Sequence, residues 1–312
     1  MPTALLIDDA ALAHEVTQGH PERPDRLRAV RGALEDGRFA GLRRLSFEEA
    51  SDAALLRGHP RGYLDRLAAA APASGLAQID ADTWMSPGSL RAARLGAGAC
   101  LAAVDAVLEG AATHAFVAMR PPGHHAEAQT AMGFCFFGNV ALAAKHALEV
   151  HGLSRVAVVD FDVHHGNGTQ ALLWDEPRAL FVSTHQMPLW PGSGAPSERG
   201  AHDNVLNVPL PPGSDGGAFH AAMTETILPR LDAFAPQLVL VSAGFDAHRD
   251  DPLAQLEWEA EDFARATAML CDVAARHAGG RVVSALEGGY DLPALAAGVA
   301  AHVGVLMERA DG

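Results

Sequence analysis

Short apolar runs alternate along the chain with longer stretches in which apolar residues return every three or four positions. The runs lie at 4–7, 115–119, 156–161, 179–183, 238–242 and 281–286. They are continuously apolar instead of alternating, which predicts strands covered on both faces. The helical patterns fall at 24–34, 89–109, 139–150, 217–231 and 259–278. Strands separated by helices predict an α/β fold, a doubly wound and mostly parallel β-sheet flanked by helices. No repeat, low-complexity tract or Pro/Ser-rich linker breaks the pattern, so residues 1–312 are read as a single domain.

In sheets of this kind ligands bind beyond the carboxyl ends of the strands. Four of the predicted strands run there into polar residues. The run at 115–119 is followed by RPPGHH at 120–125, where two prolines and a glycine set a tight loop ahead of His124 and His125. The run at 156–161 carries Asp160, Asp162 and His164, alternate residues that share a face in an extended chain. Asp246 follows the run at 238–242, and Glu287 and Tyr290 follow the run at 281–286.

Asp162, His164 and Asp246 offer two carboxylates and one imidazole. Three protein ligands leave a coordination position open, as in catalytic metal sites. The oxygen-rich set suits Zn²⁺ and also accepts Fe²⁺, Mn²⁺ or Co²⁺. For any one of these residues, a helix-capping acid or a hydrogen-bonded core histidine is an adequate reading. Two carboxylates at a buried strand end are costly unless neutralised, and a dication neutralises both.

Composition adds limits. With 49% hydrophobic and 20% charged residues the chain can bury a large core. A net charge of −15 argues against nucleic acid and mildly favours cationic partners such as polyamines or Lys-rich peptides, solubility being its simpler role. Cys100, Cys135 and Cys271 form no CxxC pair and are read as reduced core residues of a cytoplasmic protein. Residues 1–9 lack a basic and apolar leader, and no stretch of about 18 apolar residues predicts a membrane span. Nothing in the pattern sets the oligomeric state, a homo-oligomer included.

Taken together, RPPGHH at 120–125, GFCFFGN at 133–139, DFDVHHGNGT at 160–169, STHQ…WPGSG at 183–194, SAGFDAH at 242–248 and LEGGY at 286–290 resemble the histone deacetylase family, and HPERPDRL at 20–27 resembles its opening motif. Order and spacing match over nearly the whole chain. Asn167 and the LEGGY ending look like the class II and bacterial branches, among them acetylpolyamine amidohydrolases and acetoin utilization proteins.

The resemblance implies an arginase/deacetylase-like fold and a deacetylase that hydrolyses N-acyl amides with one zinc ion per chain. Asp162, His164 and Asp246 would be the metal ligands. His124 and His125 would be the acid/base pair, oriented by Asp160 and Asn167 respectively, with His125 the first choice as base. Tyr290 would donate to the developing oxyanion, and the Gly133 carbonyl would accept from the substrate amide. Phe134 and Trp190 would wall an acyl-lysine tunnel, with Trp190 larger than the Phe or Tyr that family members more often carry. Leu253 would stand at the rim, where polyamine-preferring relatives can place an acid. Asp160 and Ser183 match part of a structural K⁺ or Na⁺ site.

Of the other residues, Arg23 is read either as entering an internal channel or as a surface arginine at a helix start. His20 and His185 are candidates to line the pocket, and the remaining histidines, His146 and His151 among them, are read as surface or satisfied core residues. Two other functions stay in view: an arginase-like two-metal ureohydrolase, and a non-catalytic acyl-lysine or acylpolyamine binding module. The substrate classes that fit are acyl-lysine peptides, acylated polyamines and other small amides.

Overall fold

The computed structural model describes residues 2–310. Met1, Asp311 and Gly312, the outermost residues of the expected domain over 1–312, lie outside the described residues. The strands are β1 (Thr3–Leu6), β2 (Arg43–Arg44), β3 (Ala77–Gln78), β4 (Trp84–Met85), β5 (His114–Val117), β6 (Val156–Asp160), β7 (Ala179–Gln186), β8 (Val205–Leu210), β9 (Leu238–Ala243) and β10 (Val282–Leu286). The helices are α1 (Pro24–Leu34), α2 (Asp52–Leu55), α3 (Arg61–Ala70), α4 (Ser89–Leu108), α5 (Asn139–Glu149), α6 (Asn167–Leu173), α7 (Gly216–Ala222), α8 (Leu228–Phe234), α9 (Ala260–His277) and α10 (Leu292–Ala310).

Eight strands form one sheet in the order β2-β1-β5-β10-β9-β6-β7-β8, while β3 and β4 pair antiparallel by themselves. Every neighbouring pair in the large sheet is parallel. Alternate residues of one strand enter opposite core layers. Ala157 and Val159 pack with Leu270, Val299 and Val303 of α9 and α10, whereas Val156 and Val158 pack with Val104 of α4 and Val140 of α5. Burial on both faces is why these strands read as unbroken apolar runs. Each such Val or Leu contributes about 1.5–3 kcal/mol when fully buried.

The chain order places the site. After β6 the chain moves outward to β7; after β9 it moves the other way, to β10. Strands β6 and β9 are neighbours, so their connections part above a crevice at their carboxyl ends. Asp162 and His164 follow β6, and Asp246 follows β9.

Short elements such as α2, α3, α6, β2, β3, β4 and β8 were not expected, and two further departures have a clear physical reason. The pattern at 217–231 is helical throughout, as expected, but not regular: α7 and α8 run on through a wider turn at Met223–Ile227. Pro229 has no N–H to give to the preceding turn, so the regular ladder is interrupted there. Helix α10 was not expected at all. Its sequence, LPALAAGVAAHVGVLMERA, carries few polar residues, so no amphipathic period marks it. No helix is long and apolar enough to cross a membrane among the described residues.

Candidate active site

The loop after β5 is fixed before its histidines are reached. Arg120 is fully buried and grips the Glu22 carboxylate through two nitrogens at 2.7 and 2.6 Å. A Cβ on Gly123 would stand 2.7 Å from the Asn139 backbone nitrogen, so only glycine fits this approach. The Glu287 carboxylate, beyond β10, accepts from the backbone N–H groups of Gly123 at 2.7 Å and His124 at 3.1 Å. The rings of His124 and His125 then stand 3.8 Å apart. His124 Nδ1 lies 2.9 Å from Asp160 Oδ2, and His125 Nδ1 lies 2.8 Å from Asn167 Oδ1.

Beside them Asp162, His164 and Asp246 converge, with one donor atom from each lying within 4.8 Å of the others. His164 Nδ1 is 3.3 Å from Asp162 Oδ1 and 3.1 Å from Asp246 Oδ2. Both carboxylates are held by backbone: Gly288 N–H donates to Asp162 Oδ2 at 2.8 Å, and Val163 N–H to Asp246 Oδ1 at 2.9 Å. The carboxylates press against bare glycines. A Cβ on Gly288 would lie 2.2 Å from Asp246 Oδ2 and one on Gly244 would lie 2.1 Å from Asp162 Oδ2.

The electrostatics suit a cation. Burial lowers the pKa of His164, but hydrogen bonds to Asp162 and Asp246 outweigh it and raise it to about 10. The protein alone thus draws a positive charge to the point where the three donors meet. Two carboxylates, one imidazole and a cradle that excludes side chains fit a divalent ion with an open position.

The histidine pair is split. Burial opposes charge on His124, yet the Asp162 and Asp160 carboxylates overcome it and hold His124 well above its ordinary range. Burial and the neighbouring His124 and His164 hold His125 well below. Asn167 supplies no charge to offset them.

A cavity of about 260 Å³ opens onto this centre, lined by His125, Gly133, Phe134, His164, Trp190, Leu253 and Tyr290, with Pro21, Asp82 and Leu189. Gly133 and Phe134 both take positive φ, +56° and +69°. This is strained for a phenylalanine. The turn carries the Phe134 ring to the cavity wall, within 5.9 Å of the Tyr290 ring. Trp190 is 41% exposed and its indole stands 4.7 Å from His125.

Most of the expected residues therefore meet. His124, Asp160, Asn167, Asp162 and Asp246 sit behind the cavity wall instead of on it. Asp160 and Ser183 face each other in the β6–β7 register, both fully buried. His20 and His185 do not line the cavity: His20 packs edge-on against Phe134, and His185 bonds Ser183 and the Gly194 carbonyl. Arg23 is a surface residue paired with Asp25 at 3.4 Å. The buried arginine is Arg26, three residues on, which donates to the carbonyls of Gly289 at 2.6 Å and Glu287 at 2.5 Å and lies over the Tyr290 ring.

Four supporting residues escaped the sequence reading: Arg26, Glu127, Asp251 and Asp82. Arg26 had a signal, since it shares the helix stripe of Leu27, Val30 and Leu34, where a charge is out of place. Asp251 accepts from the N–H of Tyr290 at 2.7 Å and of Leu253 at 3.0 Å, tying two cavity walls together. Glu127 accepts from the Asn167 amide at 2.9 Å. These long-range contacts have no local signature.

The histone deacetylase domain pattern matches residues 20–306. The histone deacetylase-like amidohydrolase of Pseudomonas aeruginosa is 47% identical over 278 residues, which cover 87% of this chain and 73% of that protein. The polyamine deacetylase HDAC10 of Homo sapiens is 39% identical over 330 residues, covering 98% of this chain and 48% of that protein. The crystal structure of the HDA15 HD domain superposes with a TM-score of 0.94 at 34% identity, covering 99% of this chain and 89% of that one.

Proposed function

The chain belongs to the histone deacetylase family of amide hydrolases, and on that footing we propose that Asp162, His164 and Asp246 hold one zinc ion beside an acyl-amine cavity where an acetyl group is removed from nitrogen. The observation that carries this reading is the convergence of those three donors at the β6–β9 crevice, next to a cavity lined by His125 and Tyr290. When bound, the ion would polarise the acyl carbonyl and acidify an attacking water; Fe²⁺ or Co²⁺ would serve the same donors.

The residues of the chain divide the remaining work. His125 Nδ1 is engaged with Asn167, which leaves Nε2 to take the proton of the attacking water. Its low proton affinity keeps Nε2 free for that task. The same nitrogen then returns the proton to the leaving amine, since His125, and not His124, lines the cavity. His124, held cationic by Asp160 and Asp162, adds fixed positive charge behind the reacting carbon. Tyr290 is buried and its hydroxyl is kept neutral, so it can donate to the oxyanion. Gly133 accepts from the substrate amide, and Phe134 and Trp190 flank the acyl-bearing chain. Asp160 and Ser183 are the candidates for a structural K⁺ or Na⁺.

Acyl-lysine peptides and acylated polyamines both suit a cavity with apolar walls and one acid, Asp82. Leu253 supplies no charge at the wall. The three free, buried cysteines suit a reducing, cytoplasmic setting. A two-metal centre is not favoured, because His124 and His125 stand where a second ion would need carboxylates. The test is a turnover screen of acetyl-lysine peptides against acetylpolyamines, before and after chelation. Turnover should vanish with the metal and return with zinc; undiminished activity in stripped protein would overturn the proposal.

A further inference from the structure

A second group of metal-type donors lies where the proposed reaction has no use for them. Asp105 sits in the last turn of α4, His146 in the last turn of α5, and His151 just beyond α5. Helix α4 leads into β5 and the segment after α5 leads into β6, so this seam lies at the amino ends of the strands, at the opposite edge of the sheet from the catalytic loops. Asp105 Oδ1 is 2.6 Å from His146 Nε2 and 2.6 Å from His151 Nε2. The three donor atoms all lie within 4.8 Å of one another. Two imidazoles from one side of the seam thus aim at a single carboxylate oxygen from the other.

We propose that Asp105, His146 and His151 form a second divalent transition-metal site, separate from the centre at Asp162, His164 and Asp246. Two imidazoles and one carboxylate with an open position are a donor set for zinc, nickel or copper. To bind, each imidazole must carry its proton on Nδ1 and present Nε2 as a lone pair. For His146 that shift breaks no other contact, because its buried Nδ1 has no hydrogen-bond partner. Around a tetrahedral zinc with bonds of about 2.0–2.1 Å the donors stand about 3.3 Å apart, so the cluster must open by about 0.7 Å. It has the freedom to do so: Asp105 is 40% exposed at its side chain, and His151 lies past the end of its helix. A cleft of about 430 Å³, lined by Asp105 and His146 with Glu48 and Glu49, gives a hydrated cation access; Glu49 is paired with Arg91 at 3.3 Å, so the negative approach rests on Glu48. Arg57, on the same cleft, is paired with Glu149 and does not compete for Asp105. A bound ion would staple α4 to α5 and raise thermal stability by mass action.

This site does not depend on the deacetylase reading, and the variants tell the failure of one from the failure of the other. Tag-free protein, stripped with chelator, is titrated with zinc by calorimetry and checked by elemental analysis. Wild type should bind two equivalents. His151→Ala, on a surface turn, should weaken one equivalent by about tenfold or more, keep the other, and leave acyl-amide turnover unchanged. Asp105→Asn should repeat this, and Asp162→Asn should remove the opposite equivalent. Cobalt in place of zinc should give visible absorption from two sites in wild type and from one in His151→Ala. Zinc binding that is unchanged in both His151→Ala and Asp105→Asn, whether one equivalent or two, would overturn the inference; a single equivalent that both variants weaken upholds it and counts instead against the centre at Asp162, His164 and Asp246.

Discussion

Glu127 and Asn167 meet at 2.9 Å, and through that contact Glu127 acts on the catalytic candidate His125, which Asn167 bonds at 2.8 Å. A carboxylate only accepts, so the Asn167 amide nitrogen must face Glu127 and its oxygen must face His125 Nδ1. His125 must then donate from Nδ1 and keep Nε2 bare. Glu127→Ala releases the amide to turn over, which would place a donor against Nδ1 and move the proton to Nε2. Turnover is expected to fall by about tenfold or more with zinc content unchanged. Nitrogen-15 shifts of the His125 ring would report the lost tautomer; an unaltered ring spectrum with full turnover counts against this coupling.

Tyr290 is placed by its neighbours: Asp251 accepts from its backbone N–H and Arg26 lies 4.9 Å from the centre of its ring. Removing only the hydroxyl tests its assigned role. Tyr290→Phe should lower kcat by about 10²–10³ while KM and bound zinc change little. Steady-state kinetics alongside metal analysis separates this from a folding defect, which would lower both.

Gly288 marks how tightly the metal donors are walled in. A methyl group there would lie 2.2 Å from Asp246 Oδ2 and 2.6 Å from Asp162 Oδ2. Gly288→Ala is therefore expected to weaken zinc by about 10–100-fold. Gly304→Ala, whose new Cβ meets nothing within 4 Å, is the control and should bind zinc as wild type does.

The core carries a pH dependence of its own. His302 is fully buried between Thr267 Oγ1 at 2.6 Å and Ser284 Oγ at 2.8 Å. Burial, helped by His114, lowers its pKa to about 3. The unfolded chain takes up this proton near the ordinary value of about 6.5. The stabilisation is thus complete above that pH and is lost as pH falls toward 3, where the folded form also protonates. Urea unfolding of metal-free protein should show stability falling on acidification, with His302 adding up to about 1.4 kcal/mol per pH unit to the slope. His302→Gln, which cannot protonate, should be less stable at neutral pH and less acid-sensitive. An identical slope in the variant would rule His302 out as a source.

The linear chain by itself settled the parallel α/β sheet, because strands buried on both faces must be apolar throughout, and such runs are visible without any partner. It also marked the polar strand ends after β5, β6, β9 and β10, since each sits directly beyond an apolar run. What it could not settle was which of those ends become neighbours. Residues 82 positions apart, His164 and Asp246, share a site only because β6 and β9 pair while their onward connections diverge. The exchange of Arg23 for Arg26 was decided by the way α1 docks, which turns one residue to solvent and its neighbour on the next turn into the core. Glu127, Asp251 and the Asp105–His146–His151 cluster were decided likewise by packing: their partners lie on other elements, and hydrogen bonds across a fold leave no periodic trace in one chain.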